Sequence, residues 1–172
     1  HTVPRKGEPG NETWQGDSWQ NRSGANIWGW YLTADEQRGL IYMPIGSPAP
    51  NYYGGDRKGN NLFGNSVVAV DANTGKLKWY FQFTPHDLHD WDSVEIPVLV
   101  DLPYQGKTRK LLLHADRNGF YYVLDRVTGE YINGAPFVKL LNWATGLTPK
   151  GRPIRVPGVA PSLTGNKVCP AT

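Results

Sequence analysis

The sequence has 172 residues, enough for one ordinary domain or a piece of a larger one. Twenty Gly, 14 Pro, 7 Trp and 9 Tyr against a single Met indicate many turns and short strands, and no window carries a convincing 3.6-residue period, so a helical protein is excluded. The net charge of +3 is spread along the chain, with Lys and Arg clustered no further than pairs such as Arg57-Lys58; this argues against nucleic-acid binding, and no apolar run is long enough to span a membrane.

Residues 1–26 are rich in Gly, Asn and Pro and read as irregular loop anchored by Trp14 and Trp19. Strands are expected at Ile27–Leu32 and Gly39–Ile45, around a turn at Asp35–Arg38. Gly46–Asn65 is too long for a plain hairpin and is a candidate functional loop. Further strands are expected at Ser66–Asp71, Lys76–Phe83, Ile96–Leu102, Lys110–Ala115, Phe120–Asp125 and Glu130–Ile132. The tail, 139–172, carries few strand signals.

The chain repeats itself. VVAVDANTGKLKW and YYVLDRVTGEYIN share D-x-x-T-G, with Asp71 and Asp125 54 positions apart. Four short strands per unit at such a period suggest propeller blades, one over Ile27–Phe83 and the next over Ile96–Val138. The expected fold is therefore all-β, with residues 1–172 forming part of one β-propeller domain, about two four-stranded blades with flanking loops. Two blades cannot close a ring, so the chain reads as a piece of a longer propeller whose remaining blades are its partners.

Between the two units lies FTPHDLHDWD, Phe83–Asp92, with two His and three Asp in ten residues. Carboxylates and imidazoles this dense at a strand end suit a proton-abstracting or metal-binding loop; the alternative is a polar loop whose Asp residues cap turns. Up-and-down connectivity separates the two ends of the blades. At one end it puts Gly46–Asn65, Phe83–Asp92, the Asp116–Gly119 turn and Trp28, near the start of its strand. The bland turns at Asp35–Arg38, Ala72–Gly75 and Arg126–Gly129 fall at the other. That asymmetry favours the functional reading of the loop.

AVDANTGKLKW, 69–79, resembles the tryptophan-docking motif of the quinoprotein dehydrogenases, eight-bladed propellers that carry pyrroloquinoline quinone (PQQ) and a metal, usually Ca²⁺. W-G-W at 28–30, G-S-P-A-P at 46–50, T-P-H-D-x-x-D at 84–90 and D-R-N-G at 116–119 extend the resemblance over nearly the whole chain. GDSW, RSG and GGDRKG-N-NLF are most similar to the glucose dehydrogenase branch, while Asp116-Arg117-Asn118-Gly119 resembles the alcohol and methanol branch.

The resemblance implies a role for each matching position. Trp28 would be the aromatic floor on which the flat quinone stacks. Asp90 would be the catalytic base that takes the substrate hydroxyl proton. Arg117 and Asn118 would contact the quinone, the guanidinium stabilising negative charge on its oxygens. The metal would be held by Ser47, Asp90 and Asp92.

Ser47 departs from the alcohol branch, where an Asn amide oxygen is the usual ligand. Either the metal is held differently or the site is impaired. Asp92 stands where lanthanide-using relatives carry an extra acidic ligand, so Ca²⁺, another divalent ion or a lanthanide all remain open. His86 and His89 are expected to order the loop, since hard cations prefer oxygen.

Cys169 resembles a family cysteine whose disulfide partner lies downstream, which would fit an oxidising periplasm. The expected activity is oxidation of an aldose sugar or an alcohol, with electrons passing to ubiquinone or a cytochrome c. A non-catalytic propeller scaffold or assembly protein, or an inactive fragment, is the alternative.

Overall fold

The computed structural model describes residues 1–170. β1 (Thr33–Asp35), β2 (Leu40–Ile45), β3 (Ser66–Asp71) and β4 (Leu77–Gln82) form one antiparallel sheet in chain order. β5 (Val98–Tyr104), β6 (Lys107–Ala115), β7 (Phe120–Asp125) and β8 (Tyr131–Pro136) form a second with the same order. A hairpin of β9 (Ala144–Leu147) and β10 (Pro153–Arg155) follows. The only helical element among the described residues is a single 3₁₀ turn, Asn11–Thr13, and no helix there is long and apolar enough to cross a membrane.

The sheets follow from alternation. Along β7 the residues are buried and half-buried in turn, the period-2 pattern of a strand with one face inward. Tyr42, Val67, Ala69, Trp79 and Phe83 of the first unit meet Leu112, Phe120, Tyr122 and Leu124 of the second in one core, which Trp91 and Trp143 extend with ring centroids 4.1 Å apart.

The D-x-x-T-G repeats are aspartate turns. Asp71 Oδ1 accepts from Asn73 N–H and Thr74 N–H, and Asp125 Oδ1 accepts from Val127 N–H and Thr128 N–H. Each turn closes on a glycine with positive φ, Gly75 at 68° and Gly129 at 77°.

Two expectations are corrected. Ile27–Leu32 is not a strand: only Ile27 bridges, to Ile45, and the chain then turns, with Tyr31 N–H donating to Trp28 O at 3.1 Å. Trp28 therefore precedes β1 instead of beginning it. A run of large apolar residues marks a strand only if a neighbour covers it, and Trp30 is 90% exposed. The tail contains the β9–β10 hairpin, whose Leu147 packs so closely on Gly134 of β8 that a Cβ there would lie 2.8 Å from it. Its register breaks between Pro153 and Arg155, which leaves no clean alternation to read.

Candidate functional site

Three segments meet at the end of β2. Ile45 bridges Ile27 on one side and Ser93 on the other. This sets the Trp28 segment, the Gly46–Ser47 start of the long loop and the Asp90–Asp92 loop side by side. Gly46 makes the approach possible: a Cβ there would lie 2.5 Å from Asp92 Oδ1.

The organising group is Asp87, a buried carboxylate that accepts four hydrogen bonds. Its Oδ1 accepts from His89 N–H at 2.8 Å. Its Oδ2 accepts from Ser47 Oγ–H at 2.6 Å, Trp91 N–H at 2.9 Å and Asn65 Nδ2 at 3.0 Å. Buried Arg57 grips the same loop from the other side, donating to Asp87 O at 2.6 Å, Pro50 O at 3.0 Å and Asn61 Oδ1 at 2.9 Å. The long loop 46–65 and the acidic loop 83–92 are thereby one hydrogen-bonded body. The sequence shows neither role: Asp87 is one of three loop aspartates, and an Arg-Lys pair in a Gly-rich loop reads as surface charge.

Within this body His86, Asp90 and Asp92 hold left-handed backbone, with φ of 48°, 59° and 45°. Such conformations cost on the order of 1 kcal/mol each and cluster where a loop is shaped for function. Asp90 is half-buried, and its Oδ1 accepts from the Asn51 side-chain amide. Asp92 Oδ1 accepts from Ser47 N–H at 2.7 Å, and its Oδ2 lies 3.4 Å from Arg117 Nη1. Burial pushes the Asp92 carboxyl above its ordinary value; the negative Asp90 adds to that rise, while the Ser47 N–H and Arg117 oppose it.

The structure thus brings Ser47, Asp90, Asp92 and Arg117 together, with Asn51 added. Trp28 is adjacent through Ile27, the residue 41% exposed and its ring 5.9 Å from that of Tyr31 between centroids. Ser47 Oγ is engaged twice, donating to Asp87 and accepting from Asp92 N–H at 3.2 Å. Asn118 is turned into the core. Its Nδ2 donates to Thr84 Oγ1 and Tyr122 Oη, and its Oδ1 accepts from Phe120 N–H. Both hydrogens of that amide are thus engaged within the core, at the turn that carries Arg117. His86 and His89 do order the loop: His86 Nδ1 meets Asn61 Oδ1 at 3.1 Å, and His89 Nε2 meets Val159 O at 3.0 Å while stacking on Trp91. Cys169 forms no disulfide among the described residues.

A second titratable cluster lies behind Arg117, and nothing in the sequence pattern announced it. Buried His114 Nε2 is 3.3 Å from Asp116 Oδ2 and 3.5 Å from Glu95 Oε2, and its ring stacks on Phe83 at 4.2 Å. Burial, then the charge of Asp116, pushes the Glu95 carboxyl up to about 8.

The donor chemistry fits the groups implied by the resemblance. Two half-buried carboxylates, Asp90 and Asp92, with one guanidinium against Asp92, suit a hard, oxygen-preferring cation. A cationic fork and an exposed indole are groups that suit an anionic planar quinone.

Residues 1–136 match the family described as glucose/ethanol/alcohol dehydrogenase, beta-propeller domain (PQQ). The chain is 42% identical over 161 residues to a quinoprotein alcohol dehydrogenase of Pseudomonas putida, covering 94% of this chain and 26% of that protein. It is 41% identical over 161 residues to the dehydrogenase subunit of a quinone alcohol dehydrogenase of Komagataeibacter europaeus, covering 91% and 22%. Among solved structures it is similar to a europium-containing methanol dehydrogenase, with a TM-score of 0.86, 36% identity and coverage of 96% of this chain and 29% of that one. It is also similar to the quinohemoprotein alcohol dehydrogenase of Comamonas testosteroni, with a TM-score of 0.79, 37% identity and coverage of 86% and 22%. The chain spans about a quarter of the length of these relatives. Motifs, sheet order and relatives agree: the chain belongs to the PQQ-dependent glucose/ethanol/alcohol dehydrogenase family and forms part of its all-β propeller domain.

Proposed function

We propose that the protein carrying this segment is a PQQ-dependent dehydrogenase that oxidises an alcohol. The observation that carries the reading is the convergence of Asp90, Asp92 and Arg117, with Asp92 Oδ2 and Arg117 Nη1 3.4 Å apart, in a loop body shaped by left-handed aspartates. Asp90 and Asp92 would hold a hard cation, calcium or a lanthanide. Trp28 and Arg117 would hold the quinone, which when bound supplies the acceptor for the hydride leaving the substrate carbon.

The residues of this chain do the rest. Asp90 presents a half-buried carboxylate beside Asn51 and accepts the hydroxyl proton of the substrate. Arg117, held by Asp92, places fixed positive charge where negative charge builds up on the acceptor. The interlaced loops keep these groups in register.

An aldose with a free C1 hydroxyl is the second substrate class, favoured by the Gly54–Gly59 loop, which is similar to that of the glucose branch. Electrons would pass on to ubiquinone or a cytochrome c, and the compartment would be the periplasm. The test is to reconstitute the full-length protein with PQQ and either Ca²⁺ or La³⁺ and assay ethanol and glucose with an artificial dye acceptor. Turnover should fall by a factor of about 100 or more in Asp90→Asn, the range for removing a general base. Full activity in that variant, or none in the reconstituted wild type, overturns the reading.

A further inference from the structure

The cation site proposed above lacks an obvious neutral ligand. Ser47 occupies the expected place, yet its hydroxyl already donates to Asp87 at 2.6 Å and accepts from Asp92 N–H at 3.2 Å. Moving it onto a cation would take from buried Asp87 one of its four hydrogen bonds, a charge-assisted bond of roughly 1.5–3 kcal/mol.

Four residues further on, Asn51 lies against Asp90, its amide donating to Oδ1. It is held there by its own loop. The intervening Pro48-Ala49-Pro50 is stiff, Arg22 Nη1 donates to Ala49 O at 3.2 Å, and Arg57 Nη2 donates to Pro50 O at 3.0 Å. An asparagine carries its donor nitrogen and acceptor oxygen on the same trigonal carbon, so a half-turn about χ2 exchanges them without moving the chain. Neighbouring oxygens around a cation with bonds of about 2.3–2.6 Å stand roughly 3 Å apart, which is also hydrogen-bond spacing. An amide in contact with one ligand carboxylate is therefore already at the distance of the next ligand.

We propose that Asn51 supplies the neutral amide oxygen of the cation site shared by Asp90 and Asp92, in place of the side chain at position 47. This assignment rests on the cation site of the proposed function. Without a cation the amide turns its nitrogen to Asp90 and offsets the charge; with one it turns its oxygen inward. Ser47 is left free to act as the strut between Asp87 and Asp92.

The experiment loads the PQQ-reconstituted full-length protein with Eu³⁺ and compares luminescence lifetimes in H₂O and D₂O, which count the waters bound to the ion. Asn51→Ala should gain about one bound water and bind Eu³⁺ at least about tenfold more weakly, the size of effect that even outer partners of ligands have. Asn51→Asp, which keeps an oxygen, should retain the wild-type water count, as should Ser47→Ala. An unchanged count in Asn51→Ala, or an added water in Ser47→Ala, overturns the assignment and leaves the proposed function standing. A wild type that binds no Eu³⁺ and no Ca²⁺ overturns the cation site itself and this assignment with it.

Discussion

Trp79 of the first sheet lies directly against Gly129 in the aspartate turn of the second: a Cβ on Gly129 would come within 2.5 Å of the indole, and Trp79 Nε1 donates to Arg126 O at 3.2 Å. One copy of the repeat thus docks on the next. The first turn has the same shape, but a Cβ on Gly75 would meet nothing within 4 Å. Gly129→Ala should then cost roughly 1–2 kcal/mol for its left-handed backbone and a further 1–3 kcal/mol for the clash. Gly75→Ala should cost the backbone share alone. Urea midpoints of the two variants in the full-length protein check the difference; equal losses would mean the indole contact is slack.

What the sequence showed and what it hid divide along physical lines. Asp71 and Asp125 were legible because an aspartate turn is local: Asp, Thr and Gly within five residues make it almost unaided. The strand order followed from alternation and turn spacing. Ile27–Leu32 misled because Trp28 and Trp30 are apolar without being covered. Asp87, Arg57 and Asn51 stayed hidden because their partners lie across two loops, at separations no local pattern encodes. The surroundings of Asn118 stayed hidden in the same way; only the packing of Thr84, Tyr122 and Phe120 around it shows where its amide hydrogens go.

At the end opposite the site, Arg126 ties the sheets together, with Nε 2.9 Å from Asp35 Oδ2 and Nη1 2.7 Å from Asp101 Oδ1. Asp35 is buried and keeps Arg38 at 3.1 Å when Arg126 is removed. Arg126→Ala should therefore cost roughly 2–3 kcal/mol, less than the 3–5 kcal/mol of breaking an isolated buried pair. Adding Asp35→Asn should recover part of the loss. Because this end carries none of the proposed site residues, KM for alcohol should stay as in the wild type.

Asp87→Asn keeps the shape of the hub and removes its charge. Its Oδ2 faces three donors, Ser47 Oγ–H, Asn65 Nδ2 and Trp91 N–H, and an amide in that place can accept at one atom only. The loss should be roughly 2–4 kcal/mol, a little over one charged hydrogen bond. Ser47 and Asp92 loosen with it, so cation affinity should fall although Asp87 touches no cation. Titration of the full-length variant with Ca²⁺ checks this; unchanged affinity would show that the Ser47 strut is dispensable.

The cluster behind Arg117 gives stability a pH dependence of unusual sign for a carboxylate. Burial and the nearby Asp116 push Glu95 up to about 8 from its ordinary 4.5. Between those values the folded chain holds a proton that the unfolded chain has released, so raising the pH draws the equilibrium toward unfolding. The contribution of Glu95 is complete below about pH 4.5 and is lost as pH climbs through about 8. His114 Nε2 lies 3.5 Å from Glu95 Oε2, which accepts no hydrogen bond among the described residues. Glu95→Gln keeps the shape without the ionisation. It should flatten the fall in stability between pH 5 and 8 and raise the urea midpoint at pH 8, the gain being on the order of 1–3 kcal/mol for a buried carboxylate spared its charge. A Glu95→Gln protein whose midpoint falls with pH as steeply as the wild type would show that Glu95 does not carry this pH dependence.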